Sequence, residues 1–319
     1  MTRTALKMES LETREVMSNV TANVVAGDLN VTGDNGGSDL EIRQLDHDSY
    51  RVTAKNGTGI NGIYPNWWGS GSLQFDFHGV TDDVRINMNG GNDRVTIGAN
   101  AATTHVRDDL AVNMGGGHDT LNLYRVAAGD DMWLNGSSGG DKVYLYGSDS
   151  GTRTADGDVA LDYFEDIDVI HTDVDRALTV YNPNATGTVD VYLYGVDVGQ
   201  DLRVTTGHGR DDIDIVGTQI RDDLLITTGN GGDRIDVVST QIADDTELFV
   251  GGQDFGNDRI TLTNSSTRDR LHVGAGHGDD VLDLNNFDGT RAYLYGEGGD
   301  DRLDMDAASR FTGTFVNAF

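Results

Sequence analysis

The 319-residue sequence has no cysteine, two prolines, seven glutamates among its 53 acidic residues, and no long apolar run. Without cysteine there is no disulfide framework and no thiolate chemistry, which leaves the compartment open. No segment approaches the ~18 apolar residues of a membrane-spanning helix. Residues 1–20 lack the apolar stretch of a conventional signal peptide. Positive charge is also scarce: 23 Lys and Arg against 53 Asp and Glu give a net charge of -30. Such a surface repels nucleic acid and anionic membranes and attracts cations.

Glycine is abundant, at 43 residues, and aspartate makes up nearly all of the acidic complement. Both are turn residues: glycine reaches positive φ without steric cost, and aspartate bonds its own backbone. Between the turns lie short alternating runs of Val, Ile and Leu, which disordered acidic chains lack. These features describe a folded, turn-dense β protein.

An internal repeat organises the chain. Asp93, Asp119, Asp141, Asp211, Asp233, Asp258, Asp280 and Asp301 recur at steps of 26, 22, 70, 22, 25, 22 and 21. Each has a glycine two positions earlier: Gly91, Gly117, Gly139, Gly209, Gly231, Gly256, Gly278 and Gly299. The step of 70 spans three coils, so two coils within 142–210 lack the motif. Apolar residues two and four positions after each Asp, as in Val95/Ile97 and Leu121/Leu123, have the period of a strand with one buried face. A second alternating run precedes each turn, such as Leu110/Val112/Met114. A unit of this kind cannot bury its apolar side alone, whereas stacked units bury a continuous core.

The pattern predicts an all-β fold, a right-handed parallel β-helix (β-solenoid) of about 22 residues per coil. About 13 coils at ~4.8 Å would give a rod of roughly 60 Å. One solenoid domain is expected over residues 20–310, with an inserted loop at 55–72 around Trp67 and Trp68 and motif-free coils at 142–200. Residues 1–19 read as an N-terminal capping or export segment containing a short helix over 5–17. Residues 311–319 form a C-terminal cap, with Phe311, Phe315 and Phe319 placed to plug the last coil.

The segments Gly115-Gly116-Gly117-His118-Asp119, Gly207-His208-Gly209-Arg210-Asp211 and Gly276-His277-Gly278-Asp279-Asp280 read G-x-G-x-D, followed by alternating apolar residues. They resemble the repeat of haemolysin-type (RTX-like) calcium-binding proteins. The resemblance implies Ca2+ as the cofactor, bound between stacked turns. It implies the eight aspartates as side-chain ligands and the eight glycines as carbonyl donors. The motif occurs once per coil here, so one edge would carry the ion row. Calcium favours six to eight hard oxygens with carboxylate charge, and carboxylates stacked at ~4.8 Å need counter-ions. Glycine and aspartate are also ordinary turn formers, the simpler explanation of the same residues.

Other features compete for a role. Asp82-Asp83, Asp108-Asp109, Asp130-Asp131, Asp222-Asp223 and Asp244-Asp245 form a second acidic edge without adjacent glycines and read mostly as hydrated turn charge, with metal binding as the alternative. Arg94, Lys142, Arg234, Arg259 and Arg302 follow the motif aspartates and should pair with outward acids. Three Tyr-Leu-Tyr-Gly segments, Tyr144 to Gly147, Tyr192 to Gly195 and Tyr293 to Gly296, should bury Leu and expose Tyr. Leu11-Glu12-Thr13-Arg14-Glu15-Val16-Met17-Ser18 resembles the export element of planctomycete bacterial proteins.

The leading expectation is a secreted or cell-surface, non-enzymatic calcium-binding solenoid with a structural or adhesive role. Its partners would be calcium ions, a surface polysaccharide or another copy of itself, with no catalytic residues. The alternative is a pectate-lyase-like polysaccharide-degrading β-helix, for which Asp166, Asp168, Asp173, Asp175 and Arg176 form the best cluster.

Overall fold

A computed structural model of the chain describes residues 17–65, 71–99, 102–150, 157–252, 256–317 and 319. The alternating runs are strands, and no helix occurs among the described residues. Three long sheets of fourteen, thirteen and eight strands form the walls. One coil shows the path. Leu110–Asn113 lies in the fourteen-stranded sheet, Thr120–Tyr124 in the thirteen-stranded sheet and Val126–Ala128 in the eight-stranded sheet, before Met132–Asn135 begins the next coil. Coils stack parallel and in register: Leu110 lies between Val84 and Met132, and Leu121 between Val95 and Val143. Because side chains alternate, this register places every inward residue above another inward residue. Leu110, Leu121, Leu123, Ile213, Ile215 and Leu224 are all fully buried. The parallel β-solenoid that the repeat predicts is thus the observed fold.

Three corners join the walls. The Gly/Asp turn connects the fourteen- to the thirteen-stranded sheet. A residue at positive φ makes the next corner in coil after coil: Arg125 (51°), Gly147 (57°), His171 (48°), Gly195 (60°), Gly217 (61°) and Ser239 (53°). The paired aspartates make the third, returning to the fourteen-stranded sheet.

The parallel stack is shorter than expected. Only eleven strands of the thirteen-stranded sheet run parallel, because Ser49–Lys55 pairs antiparallel with both Asp39–Asp46 and Leu73–His78. Asn19–Val25 and Asp28–Thr32 form a second antiparallel hairpin, turned through Ala26 (φ 56°) and Gly27 (φ 104°). These strands close the N-terminal end. A two-residue alternation looks the same in a hairpin and in a coil, so periodicity counted them as coils. The helix expected over 5–17 falls outside the described residues except for Met17, and Trp67 and Trp68 fall outside them too.

At the other end Gly313–Asn317 adds a last parallel strand beside Arg291–Tyr295. Phe311 meets Phe287 with ring centroids 6.0 Å apart, and Phe319 packs against the core. Phe315 instead faces outward beside Tyr295.

Candidate metal centre

The motif aspartates form a ladder. Asp93, Asp119, Asp141, Asp211, Asp233, Asp258 and Asp280 are buried to 2% exposure or less. One oxygen of each accepts a hydrogen bond from the backbone of the preceding coil. The Asp93 N–H donates to Asp119 Oδ1 at 2.7 Å, Asp119 to Asp141 at 2.8 Å, Asp211 to Asp233 at 2.9 Å and Asp258 to Asp280 at 2.8 Å. Ser38 and Val189 donate in the same way to Asp93 and Asp211. The other oxygen, Oδ2, is sealed from solvent and has no hydrogen-bond partner among the described residues at Asp93, Asp119, Asp141, Asp280 and Asp301.

Such an oxygen resists ionisation. Burial pushes Asp93 and Asp141 up to about 7 and Asp280 up to about 6, with the backbone hydrogen bond opposing and neighbouring carboxylates adding to the rise. Burial raises Asp119 as well, and raises Asp211, where the Thr206 hydroxyl partly offsets it.

The motif glycines have a steric reason of their own. A Cβ on Gly139 would lie 1.4 Å from Gly117 O, and one on Gly231 would lie 1.4 Å from Gly209 O. Gly117, Gly256, Gly278 and Gly299 meet the carbonyl below at 1.6 to 1.8 Å in the same way. Stacked turns this close admit no side chain. The row also has features that suit a cation. Its donor set consists of hard oxygens, and each Oδ2 named above lacks the hydrogen bond that a buried polar atom ordinarily makes.

At the opposite corner the second aspartate of each pair builds another ladder, running the other way. Asp83 Oδ1 accepts from the Asp109 N–H at 2.9 Å, Asp109 from Asp131 at 3.1 Å, Asp131 from Asp158 at 2.7 Å and Asp223 from Asp245 at 3.0 Å. Here the donor lies in the following coil. The first aspartate is the more exposed one at Asp82, Asp108, Asp222 and Asp244, and carboxylates from successive coils converge. Four groups have ligand oxygens within 4.8 Å of one another: Asp82/Asp83/Asp108, Asp108/Asp109/Asp130, Asp201/Asp222/Asp223 and Asp244/Asp245/Asp269. Burial and like-charged neighbours raise Asp109 and Asp222.

The sequence reading treated this corner as hydrated charge and passed over Asp201 and Asp269. The available signal was the 22-residue step of the pairs, which places two carboxylates of one coil beside one of the next. Glu165 was also passed over. It takes the ladder position after Asp141, accepting that residue's N–H at 2.6 Å, although no glycine precedes it by two.

Four of the five outward basic residues pair as expected, and Arg94 forms no ion pair among the described residues. Lys142 meets Asp166, Arg259 meets Asp283, Arg302 meets Asp304, and Arg234 holds Asp212 at 2.7 Å. Leu145, Leu193 and Leu294 are buried, with their flanking tyrosines outside. The cluster considered for catalysis is divided: Asp166 and Asp168 lie on the thirteen-stranded sheet, Asp173 on the eight-stranded sheet, and Arg176 faces Asp158 at 3.6 Å. Compared with family models, with curated proteins and with solved structures, the chain matches none.

Proposed function

We propose that this chain is a non-enzymatic calcium-binding β-solenoid with a structural or adhesive role outside the cell. The observation that carries the proposal is the recurrence of three-carboxylate groups drawn from two successive coils. An ion held by such a group ties one coil to the next and relieves the repulsion between them. Water completes the coordination at this open corner, as calcium permits. Sites of the extracellular class fill at roughly 10⁻⁴ to 10⁻³ M calcium, which accords with a role outside the cell.

The Gly/Asp row is the second candidate position, favoured by its sealed Oδ2 atoms and by the resemblance of its motif. An ion there would draw on Asp93, Asp119, Asp141, Asp211, Asp233, Asp258, Asp280 and Asp301 and on carbonyls of the motif glycines. Paired substitutions separate the two rows. Asp223→Asn and Asp233→Asn each remove one charge and keep the shape. Without calcium both variants should match or exceed the parent in melting temperature, since each relieves repulsion. With millimolar calcium, titration calorimetry should show reduced stoichiometry for Asp223→Asn and parental stoichiometry for Asp233→Asn. The reverse ranking moves the ions to the Gly/Asp row. Equal melting temperatures of the parent in chelator and in millimolar calcium would remove calcium from the account altogether.

A further inference from the structure

The outer face of the fourteen-stranded sheet carries an aromatic residue in an unusual setting. Trp133 is 51% exposed, and its in-register neighbours one coil before and one coil after are Ala111 and Ala160. Within its column the indole is thus flanked on both sides by residues too small to cover it fully. Elsewhere the rings occupy one another: Tyr144 stacks on Tyr146 and Tyr192 on Tyr194, at interplanar angles of 4° and 8°. No aromatic ring packs on Trp133 among the described residues.

The adjacent column holds Asn87, Asn113 and Asn135, one above another, followed by Asp162. Their amide oxygens are engaged by the turn beside them. Asn87 Oδ1 accepts the Asn89 N–H at 3.3 Å, Asn113 Oδ1 the Gly115 N–H at 3.1 Å, and Asn135 Oδ1 the Ser137 hydroxyl at 3.1 Å. The backbone donors fix the orientation of the first two amides, so their NH2 groups point away from the turn. These NH2 groups have no protein acceptor among the described residues, and the same holds for the Trp133 indole N–H. Trp133, Ala111, Arg85 and the three asparagines line a groove of about 280 Å³.

We propose that this groove binds a neutral saccharide chain lying along the solenoid axis. The ligand must offer apolar C–H surface to the indole and hydroxyl acceptors to a row of amide donors, and a pyranose offers both on one ring. The charge of the site narrows the class. Arg85 is neutralised by Asp28 and Asp83, so the groove has no free cation for an acidic glycan, and the net charge of -30 repels one. Asn87 and Asn135 are two coils apart, about 10 Å, which accommodates successive sugars of an extended chain.

The test is titration of the full chain with cellohexaose, mannohexaose and maltohexaose, followed by calorimetry and tryptophan emission at low and high salt. At least one hexasaccharide should bind saturably and independently of salt. Trp133→Ala should weaken that binding about tenfold or more, and Asn113→Ala should weaken it less. Tyr192→Ala should leave it unchanged, and all variants should keep the parent's circular dichroism and melting temperature. Three outcomes would overturn the assignment: no hexasaccharide binds, Trp133→Ala binds as the parent does, or the parent is a dimer that Trp133→Ala dissociates, with a second copy covering the groove.

Discussion

The coils built around Asp119 or Asp233 and the coil that carries Ala177 and Val189 follow the same path with different corners. In the former, two carboxylates reach between neighbours, one at each acidic corner. In the latter, Val189 stands in the Gly/Asp ladder, fully buried, and Ala177 stands in the opposite one. The strand register passes through this coil unbroken, with Val191 between Ile167 and Ile213. Carboxylates are therefore not required to stack a coil. They are additions to a unit that closes without them, and burying them costs free energy unless a proton or cation compensates. The sealed oxygens therefore call for a compensating proton or cation and are not what closes the coil.

The largest contrast concerns glycine. Gly231→Ala drives a methyl into the Gly209 carbonyl and should cost roughly 3 kcal/mol or more. Gly187→Ala, in the coil without carboxylates, meets nothing within 4 Å and should stay within about 0.5 kcal/mol. Denaturant titration of both variants compares the two regions directly, and equal losses would mean that the turns relax.

Next comes pH. Asp93 and Asp141, raised to about 7, and Asp280, raised to about 6, bind protons in the folded chain that the unfolded chain releases near 4. Their contribution is present below the unfolded value and is lost as pH rises toward 7. Asp76 and Asp269, lowered by Arg51 and Arg291, act oppositely and lose their contribution at more acid pH. In chelator, the melting temperature should therefore be higher at pH 5 than at pH 7.5 by several degrees. Asp141→Asn, which keeps the acceptor for the Asp119 N–H, should flatten that slope. A melting temperature that rises from pH 5 to 7.5 would contradict the assignment.

Glu165 tests the border between the regions. Glu165→Ala strands the N–H of buried Asp141 and should cost about 1–3 kcal/mol, while Glu165→Gln keeps an acceptor and should cost less. The smallest effect is expected on the outer face: Lys142→Ala breaks an exposed pair with Asp166 and should cost under about 1 kcal/mol.

The repeat was legible because the stack imposes its period on the chain: Gly two residues before Asp, then apolar residues at alternate positions. The two motif-free coils were countable from the 70-residue step, which the structure divides at Glu165 and Val189. Less legible was the N-terminal closure, where Asn19–Val25 and Ser49–Lys55 alternate as coil strands do. Ala26-Gly27 and the run from Asp46 to Ser49 were the hairpin signals that periodicity outweighed. In the candidate site, sequence showed which aspartates recur but not which way they face. Inward burial of Asp119 and convergence of Asp108 with Asp82 and Asp83 depend on the third dimension.

The opposed ladders also bear on how the rod carries force. Junctions along an axis under tension are loaded in series, so the weakest yields first. The junction from Asp119 to Asp141 is clasped at both acidic corners, as are those from Asp211 to Asp233 and from Asp233 to Asp258. The coil of Ala177 and Val189 contributes no carboxylate to either corner, so each of its junctions keeps a single clasp, to Asp158 on one side and to Asp211 on the other. Pulled from its ends, the solenoid is expected to yield first at junctions of this single-clasped kind, two near its middle and one toward its C-terminal end, where Arg270 follows Asp245 in the ladder and only Asp301 reaches across from the last motif coil.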